Sequence, residues 1–338
     1  MMNMKKNIII LLSFLTGAVV CSCVSKNEVA ENTNLGNFEA LWKIIDEKYC
    51  LFEDKKIDWD QIHDEYHNKV KYIENDNEQE LFDTLESMVD KLEDGHVNIY
   101  TDFDISYSSK WYDGYPYNFN ESLLYNKYIK DYRIAGGMDY ATLKENIGYI
   151  RYSSFSDDFT QKNLYYVLSS FGDSCKAIIL DVRNNGGGSI VTALKLASVF
   201  FNNTTTIGYI QHKTGKEHDA FSEPEEMIVD ANSTSIKWLK PVIILANRRS
   251  YSATNLFLSA MKQCKNRMII GGKSGGGGGM PLSYELPNGW MVRFSSVKMT
   301  NLKHISIENG IEPDRMVNIT SSDKDDILEY AIEFIENL

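Results

Sequence analysis

The chain is short of cysteine, proline and positive charge. Its 338 residues include 5 Cys and 6 Pro, and 35 Lys plus Arg against 47 Asp plus Glu leave a net charge of −12. Two cysteines, Cys21 and Cys23, fall in the first segment, so Cys50, Cys175 and Cys264 remain. An odd number at scattered positions makes neither a disulfide framework nor a metal site. Cys175 and Cys264 flank apolar runs and read as small buried side chains. The acidic balance argues against a nucleic-acid binder, because phosphate contacts need clustered Lys and Arg. No run beyond residue 20 is long and apolar enough to span a bilayer. His63 and His67 lie four apart on one helix face, as zinc ligands would, but a zincin needs Glu after the first His and this chain has Asp64. No third ligand is evident, so neither metal nor cofactor is expected. Gly271-Gly272-Lys273-Ser274 imitates the tail of a phosphate loop, but Arg267 stands where its first glycine belongs.

What is present begins with an address. Lys5-Lys6 precedes an apolar stretch from Ile8 to Val20, a signal-peptide pattern too short for a spanning helix. It ends at Val20-Cys21-Ser22-Cys23, which resembles a bacterial lipobox with Cys23 as the lipidated residue. A plain cleaved signal with incidental cysteines is the alternative. Residues 1–22 are thus read as signal and 23–35 as a polar tether.

The rest has the length and the 43% hydrophobic content for a sizeable core, as one large or two modest domains. Apolar positions 38, 41, 42, 45 and 49 predict a helix. Another starts at Asp58, and a third runs from Glu78 to Leu92, so 36–97 reads as a helical cap. Residues 98–145, rich in Tyr, Asn and Asp, read as connecting strands and loops. From 146 to 338 strands alternate with helices: 147–152, helix 162–171, 177–182, helix about 189–201, 205–211, 241–246, helix about 252–264, 268–271. That order implies βαβ crossovers and a largely parallel sheet, an α/β core. A hairpin is expected around Pro287-Asn288-Gly289, and a surface helix at 324–338. The five-glycine run Gly275 to Gly279 is either a flexible loop or a place where backbone passes close to something.

Two strand ends carry chemistry. Asp181-Val182-Arg183-Asn184-Asn185-Gly186-Gly187-Gly188 follows one apolar strand, and Ser250-Tyr251-Ser252-Ala253 follows another. Bare glycine backbone can turn N–H donors toward a ligand, and a serine opening a helix can present its hydroxyl in the same crevice. An ordinary N-cap serine and a tight turn have the same local sequence. His96, in Glu93-Asp94-Gly95-His96, is a candidate base, although a lone histidine is more often structural. Glu308 and Glu312, in Glu308-Asn309-Gly310-Ile311-Glu312-Pro313-Asp314, are carboxylates that could orient it, or a solvated acidic loop.

Together these segments resemble the S41 family of tail-specific, C-terminal-processing serine peptidases. The resemblance rests on Leu92-Glu93-Asp94-Gly95-His96, Asp181 to Gly187, Ser250-Tyr251-Ser252-Ala253 and Gly310-Ile311-Glu312-Pro313-Asp314, in the family's order from about residue 36 to 318. It implies a crotonase-like core of ββα units, as in ClpP, with the active site between core and cap. One branch uses a Ser–Lys dyad; Gly277 stands at that lysine's place, and Lys273 is the nearest alternative. The tricorn-like branch implies Ser252 as nucleophile, His96 as base, Glu308 as orienting carboxylate with Glu312 less favoured, and an oxyanion site from the N–H groups of Gly187 and Ala253. Tricorn has serine directly before the histidine, where this chain has Gly95, and the family often has Glu where this chain has Asn255. A PDZ domain needs roughly a hundred residues, so 97–146 is too short to hold one.

The expectation is therefore a serine endopeptidase acting on exported or unfolded polypeptides. It would be held by lipid on Cys23 in the periplasm or at the outer membrane, in an unspecified oligomeric state. A non-catalytic peptide- or lipid-binding protein on the same fold is the alternative, as in the interphotoreceptor retinoid-binding protein, which the family resembles. An acyl-CoA enzyme of crotonase type finds no CoA-binding residues here.

Overall fold

The computed structural model describes residues 31–74 and 76–338. The expected signal segment, Cys23 and the tether up to residue 30 lie outside the described residues.

Helix α1 (Asn34–Lys48) starts inside the expected tether because the Thr33 side chain accepts the Gly36 N–H at 3.0 Å. There follow α2 (Phe52–Lys55), α3 (Trp59–Val70), α4 (Glu78–Val89) and the short strand β1 (Asn98–Tyr100). Next come α5 (Glu121–Leu123), β2 (Arg133–Ala135), β3 (Met138–Leu143), β4 (Ile147–Tyr152), α6 (Gln161–Ser170) and β5 (Ile178–Asp181). Then α7 (Ile190–Ser198), β6 (Thr205–His212), β7 (Glu225–Val229), β8 (Val242–Ala246), α8 (Ala253–Met261) and β9 (Arg267–Gly271). The chain ends with β10 (Pro281–Glu285), β11 (Met291–Ser295), β12 (Val297–Asn301), β13 (Arg315–Met316) and α9 (Asp326–Glu336).

Seven strands form the main sheet in the order β13-β9-β8-β5-β4-β3-β2. The run from β13 to β4 is parallel, and β3 and β2 are antiparallel. The fold is the expected α/β type. Both faces are covered, as a mostly parallel sheet requires. Ile178, Leu180 and Ile244 face a core shared with α6, α7 and α8. Ile179, Ile243 and Leu245 face α9. That alternation along β5 and β8 is why both strands read as continuous apolar runs.

The cap differs from the expected helices alone. Phe38, Leu41, Trp59, Tyr66 and Leu85 bury against Ile99 of β1 and Val292 and Phe294 of β11. A three-stranded sheet, β1-β11-β10, thus carries sequence from the far half of the chain into the cap. This crossing brings the β11 end beside the turn that follows α4.

Candidate active site

Parallel sheets offer ligands the crevice at the carboxyl ends of their strands. Here the turn after β5 and the turn after β8 meet there. Ser252 sits between β8 and α8 at φ 57° and ψ −122°. A non-glycine residue there costs on the order of 1–3 kcal/mol, so its neighbours must hold it. The Ser252 N–H donates to the Gly276 carbonyl at 2.8 Å, and the Tyr251 N–H to the Asn185 carbonyl at 3.1 Å. Thr33, Asp58, Asn77, Thr160, Ser189 and Asp325 all cap their helices through side chains. Ser252 makes no such bond. Its hydroxyl lies 2.9 Å from His96 Nε2 instead.

His96 is buried, on the turn between α4 and β1. With Nε2 facing the serine hydroxyl, the ring proton belongs on Nδ1, which meets Ser295 Oγ at 3.4 Å. Ser295 donates onward to Asp94 Oδ2 at 2.8 Å. Asp94 also accepts the hydroxyls of Tyr49 at 3.1 Å and Tyr251 at 3.2 Å, and the His96 N–H at 2.8 Å. Burial pushes its carboxyl up, but the neighbouring His96, the Lys55 charge and these donors outweigh it and hold it below the ordinary range. Burial pulls the His96 imidazole down, which keeps it neutral and able to take a proton.

The expected link from Glu308 to His96 is not a direct hydrogen bond. Glu308 Oε2 accepts the Gly278 N–H at 2.7 Å, and Oε1 pairs with Lys55 Nζ of the cap at 3.0 Å. Those two contacts engage both carboxylate oxygens. Burial first, then the Asp94 charge, raise Glu308 to about 7. Glu312 pairs with Lys273 at 2.9 Å on the surface, which keeps both alternatives out of the site.

The glycine run is a packed layer between Ser252 and Glu308, the second of its two readings. A Cβ on Gly276, at φ 85°, would overlap the Glu308 carbonyl, and one on Gly277 would meet the Tyr251 ring at 2.5 Å. Gly95 is similarly constrained. A Cβ there would meet Trp111 Nε1 at 2.6 Å, and the Trp111 ring stacks on Tyr251 at 4.1 Å. No side chain fits before His96, and Ser295 stands at Nδ1 from the opposite strand.

Of the two expected oxyanion donors, the Ala253 N–H opens α8 and has no acceptor among the described residues. The Gly187 N–H is not free as expected. It is donated to Asn185 Oδ1 at 2.9 Å, because an Asn side chain readily bonds its own backbone two residues on. Gly187 still abuts Ser252, since a Cβ on it would meet Ser252 Cβ at 2.8 Å. Asn255 is buried and structural: its Nδ2 holds the Ile307 carbonyl at 2.9 Å, next to Glu308. His63 and His67 both face Glu39, at 3.1 and 3.8 Å, and tie α3 to α1.

Beneath the glycine turn, Arg183 is fully buried between Asp181 at 2.6 Å and Asp325 at 2.9 Å. The Arg151 Nη1 donates to the Arg183 carbonyl at 2.9 Å. This cluster explains the Asp-x-Arg pattern as an anchor for the turn.

The model of peptidase family S41 matches residues 146–317, about half of the chain. The chain belongs to peptidase family S41. The tricorn protease C1 domain matches residues 30–90, in the cap. A crystal structure of a "putative peptidase" from Parabacteroides merdae ATCC 43184 is 41% identical, covers 90% of this chain and 96% of that one, and superposes with a TM-score of 0.84. The "Probable CtpA-like serine protease" of Staphylococcus aureus is 28% identical over 172 residues, 51% of this chain but only 33% of that protein. Mature CPAF shares the fold at 12% identity, with a TM-score of 0.70 over 90% of this chain and 98% of its own. Among the described residues no helix is long and apolar enough to cross a membrane.

Reasoning from sequence had singled out Ser252 and His96, which the structure joins. It missed Ser295, Lys55, Tyr49 and Trp111 as site residues. Asp94 stood inside a quoted motif without a role. For Ser295 no local signal existed, because only the pairing of β1 with β11 brings it near.

Proposed function

We propose that this S41 chain is a serine endopeptidase in which Ser252 attacks a peptide carbonyl and His96 takes its proton. The observation that carries this is the 2.9 Å contact between Ser252 Oγ and His96 Nε2 on a strained turn that gives up capping its own helix. Attack forms the Oγ–C bond while the hydroxyl proton passes to Nε2 and the carbonyl oxygen becomes an oxyanion. The Ala253 N–H supplies the principal donor to that oxygen, and the Gly187 N–H joins as a three-centre donor. His96 then protonates the leaving amine as the C–N bond breaks. A water, deprotonated by His96, cleaves the acyl ester and returns the proton to Ser252. Ser295 and Asp94 position the imidazole, and Lys55 with Glu308 locks the cap to the core behind it. The substrates are exported or unfolded polypeptides, and the chain is exported and lipid-anchored through Cys23, as its first residues suggest.

Labelling with a fluorophosphonate probe tests this. Wild type is expected to label, and Ser252→Ala not at all. His96→Ala should slow labelling by roughly 10³-fold or more, since the pair acts as a unit. Well-folded wild type that fails to label, or labelling that survives in Ser252→Ala, would refute the assignment.

A further inference from the structure

β11 and β12 are one continuous run of chain, bent at Ser296. β10 pairs with its first half and β6 with its second. The Ser296 N–H holds the Met280 carbonyl at 2.9 Å, and the next residue, Val297, stands opposite His212. A cavity of about 420 Å³ lies at this junction, outside the Ser252 crevice. Its walls combine Met280, Leu282 and Tyr284 with Lys48, His212 and Lys213. Three features of it match one kind of ligand.

First, β10 is the outer strand of its sheet. The Met280 carbonyl and the Leu286 N–H both point to the β11 side. By alternation, the N–H and C=O groups of Ser283 and Glu285 point outward, with no strand beside them. An extended peptide can pair there by strand addition. Second, Met280 and Leu282 are 40% and 51% exposed, an apolar surface beside that edge. Third, the cavity is positive on a chain of net charge −12. Lys216 is paired with Glu47 at 2.8 Å. Lys48 and Lys213 have no carboxylate within ion-pair reach among the described residues, and Lys213 Nζ donates only to the Glu217 carbonyl. Burial pulls the Lys213 ammonium down, and the Asp219 and Asp46 charges offset this only in part.

We propose that this cavity is an exosite that takes an extended, carboxylate-bearing segment of the polypeptide substrate alongside β10. Its acidic side chains would meet Lys48 and Lys213, and its apolar ones Met280 and Leu282. This deepens the endopeptidase reading and rests on it for the identity of the ligand. The exosite also adjoins the catalytic pair: Met280 follows Gly279, which packs on Ser295, and Ser295 touches His96. A peptide anchored here is held within a short reach of Ser252, which raises its effective concentration there.

The test uses the Ser252→Ala protein, so that binding is read without turnover. The probe is a short fluorescein-labelled peptide of alternating Leu and Glu, beside its Leu and Gln counterpart, followed by fluorescence anisotropy. The acidic peptide is expected to bind more tightly, with a preference that fades as salt rises. Lys48→Gln with Lys213→Gln should weaken the acidic peptide by about tenfold or more and leave the Gln peptide unchanged. Ser283→Pro, which removes an outward N–H from an edge strand that tolerates proline, should weaken both peptides alike. Equal affinity for the two peptides, or indifference to the lysine pair, overturns the proposal. So does a concentration-dependent dimer dissolved by the lysine changes, which would assign the groove to a second copy. Fluorophosphonate labelling of the lysine double variant on the Ser252 background should match wild type. If wild type fails to label while the acidic peptide still binds, the catalytic reading fails and the exosite stands.

Discussion

Two buried ionic clusters lie one above the other at the strand ends, and they are balanced differently. Beneath the glycine turn, Asp181 and Asp325 face Arg183 and Arg151, two charges against two. Burial pushes the Asp181 carboxyl up, but Arg183 outweighs it, and Asp181 stays ionised well below the ordinary range. Behind Ser252, Asp94 and Glu308 share one ammonium, Lys55, beside an imidazole that burial keeps neutral. Asp94 takes four donors and keeps its charge. Glu308 takes two and rises to about 7. The balanced cluster pairs each charge with an opposite one and holds shape. The unbalanced one keeps a group poised near neutrality, the condition under which protons move in catalysis.

Removing one partner from the balanced cluster is expected to cost the most stability. Arg183→Met leaves Asp181 and Asp325 buried with only Arg151, 3.9 Å from Asp181, to offset them, a loss of about 3–5 kcal/mol. Urea unfolding should show a large fall in midpoint with an unchanged slope. A loss below about 1 kcal/mol would mean that water replaces the guanidinium and the cluster is not the anchor. The matching change behind the nucleophile should spare stability and strike rate. Asp94→Asn keeps the shape but removes the charge facing the Ser295–His96 relay. Fluorophosphonate labelling should slow on the order of a hundredfold, and Ser295→Ala by about tenfold, with kcat on a peptide substrate falling and KM held. Equal rates in both variants would transfer the positioning role to Glu308.

The same contrast decides what could be read from the sequence. The parallel core was legible because apolar runs such as Ile178–Leu180 and Val242–Leu245 have a local period and bounded ends. Ser252 and His96 stood out as motif residues, although the serine alone was indistinguishable from a cap. The relay was not, because it depends on register. Ser295 reaches His96 only through the pairing of Asn98 with Arg293. Lys55 reaches Glu308 only because the cap folds onto strands that follow it by more than 200 residues of sequence. The glycine run was ambiguous for the same reason: the atoms that forbid a Cβ there belong to Tyr251, Ser295 and Glu308. The bond from the Gly187 N–H to the Asn185 side chain was not legible, because it depends on how the turn folds back on itself.

The smallest expected effect sharpens the comparison most, because it is a titration. Glu308 moves from an ordinary 4.5 to about 7 on folding. A carboxyl raised in the folded state binds its proton more tightly there than in the unfolded chain. Its contribution to stability is therefore present below the unfolded value and lost as the pH rises through about 7. Wild type should thus lose on the order of 1–2 kcal/mol of this contribution between about pH 5 and about pH 8. Glu308→Gln should remove that slope. His96, whose folded value is lowered, acts with the opposite sign: its contribution is lost as the pH falls below the ordinary histidine value. In Glu308→Gln only that acid-side loss should remain at the site. Asp181, held below the ordinary carboxylate range, contributes no slope to it. Urea unfolding of the two proteins across the range measures the difference directly. Parallel curves would mean that Lys55 holds Glu308 fully ionised, and the two clusters would then be alike.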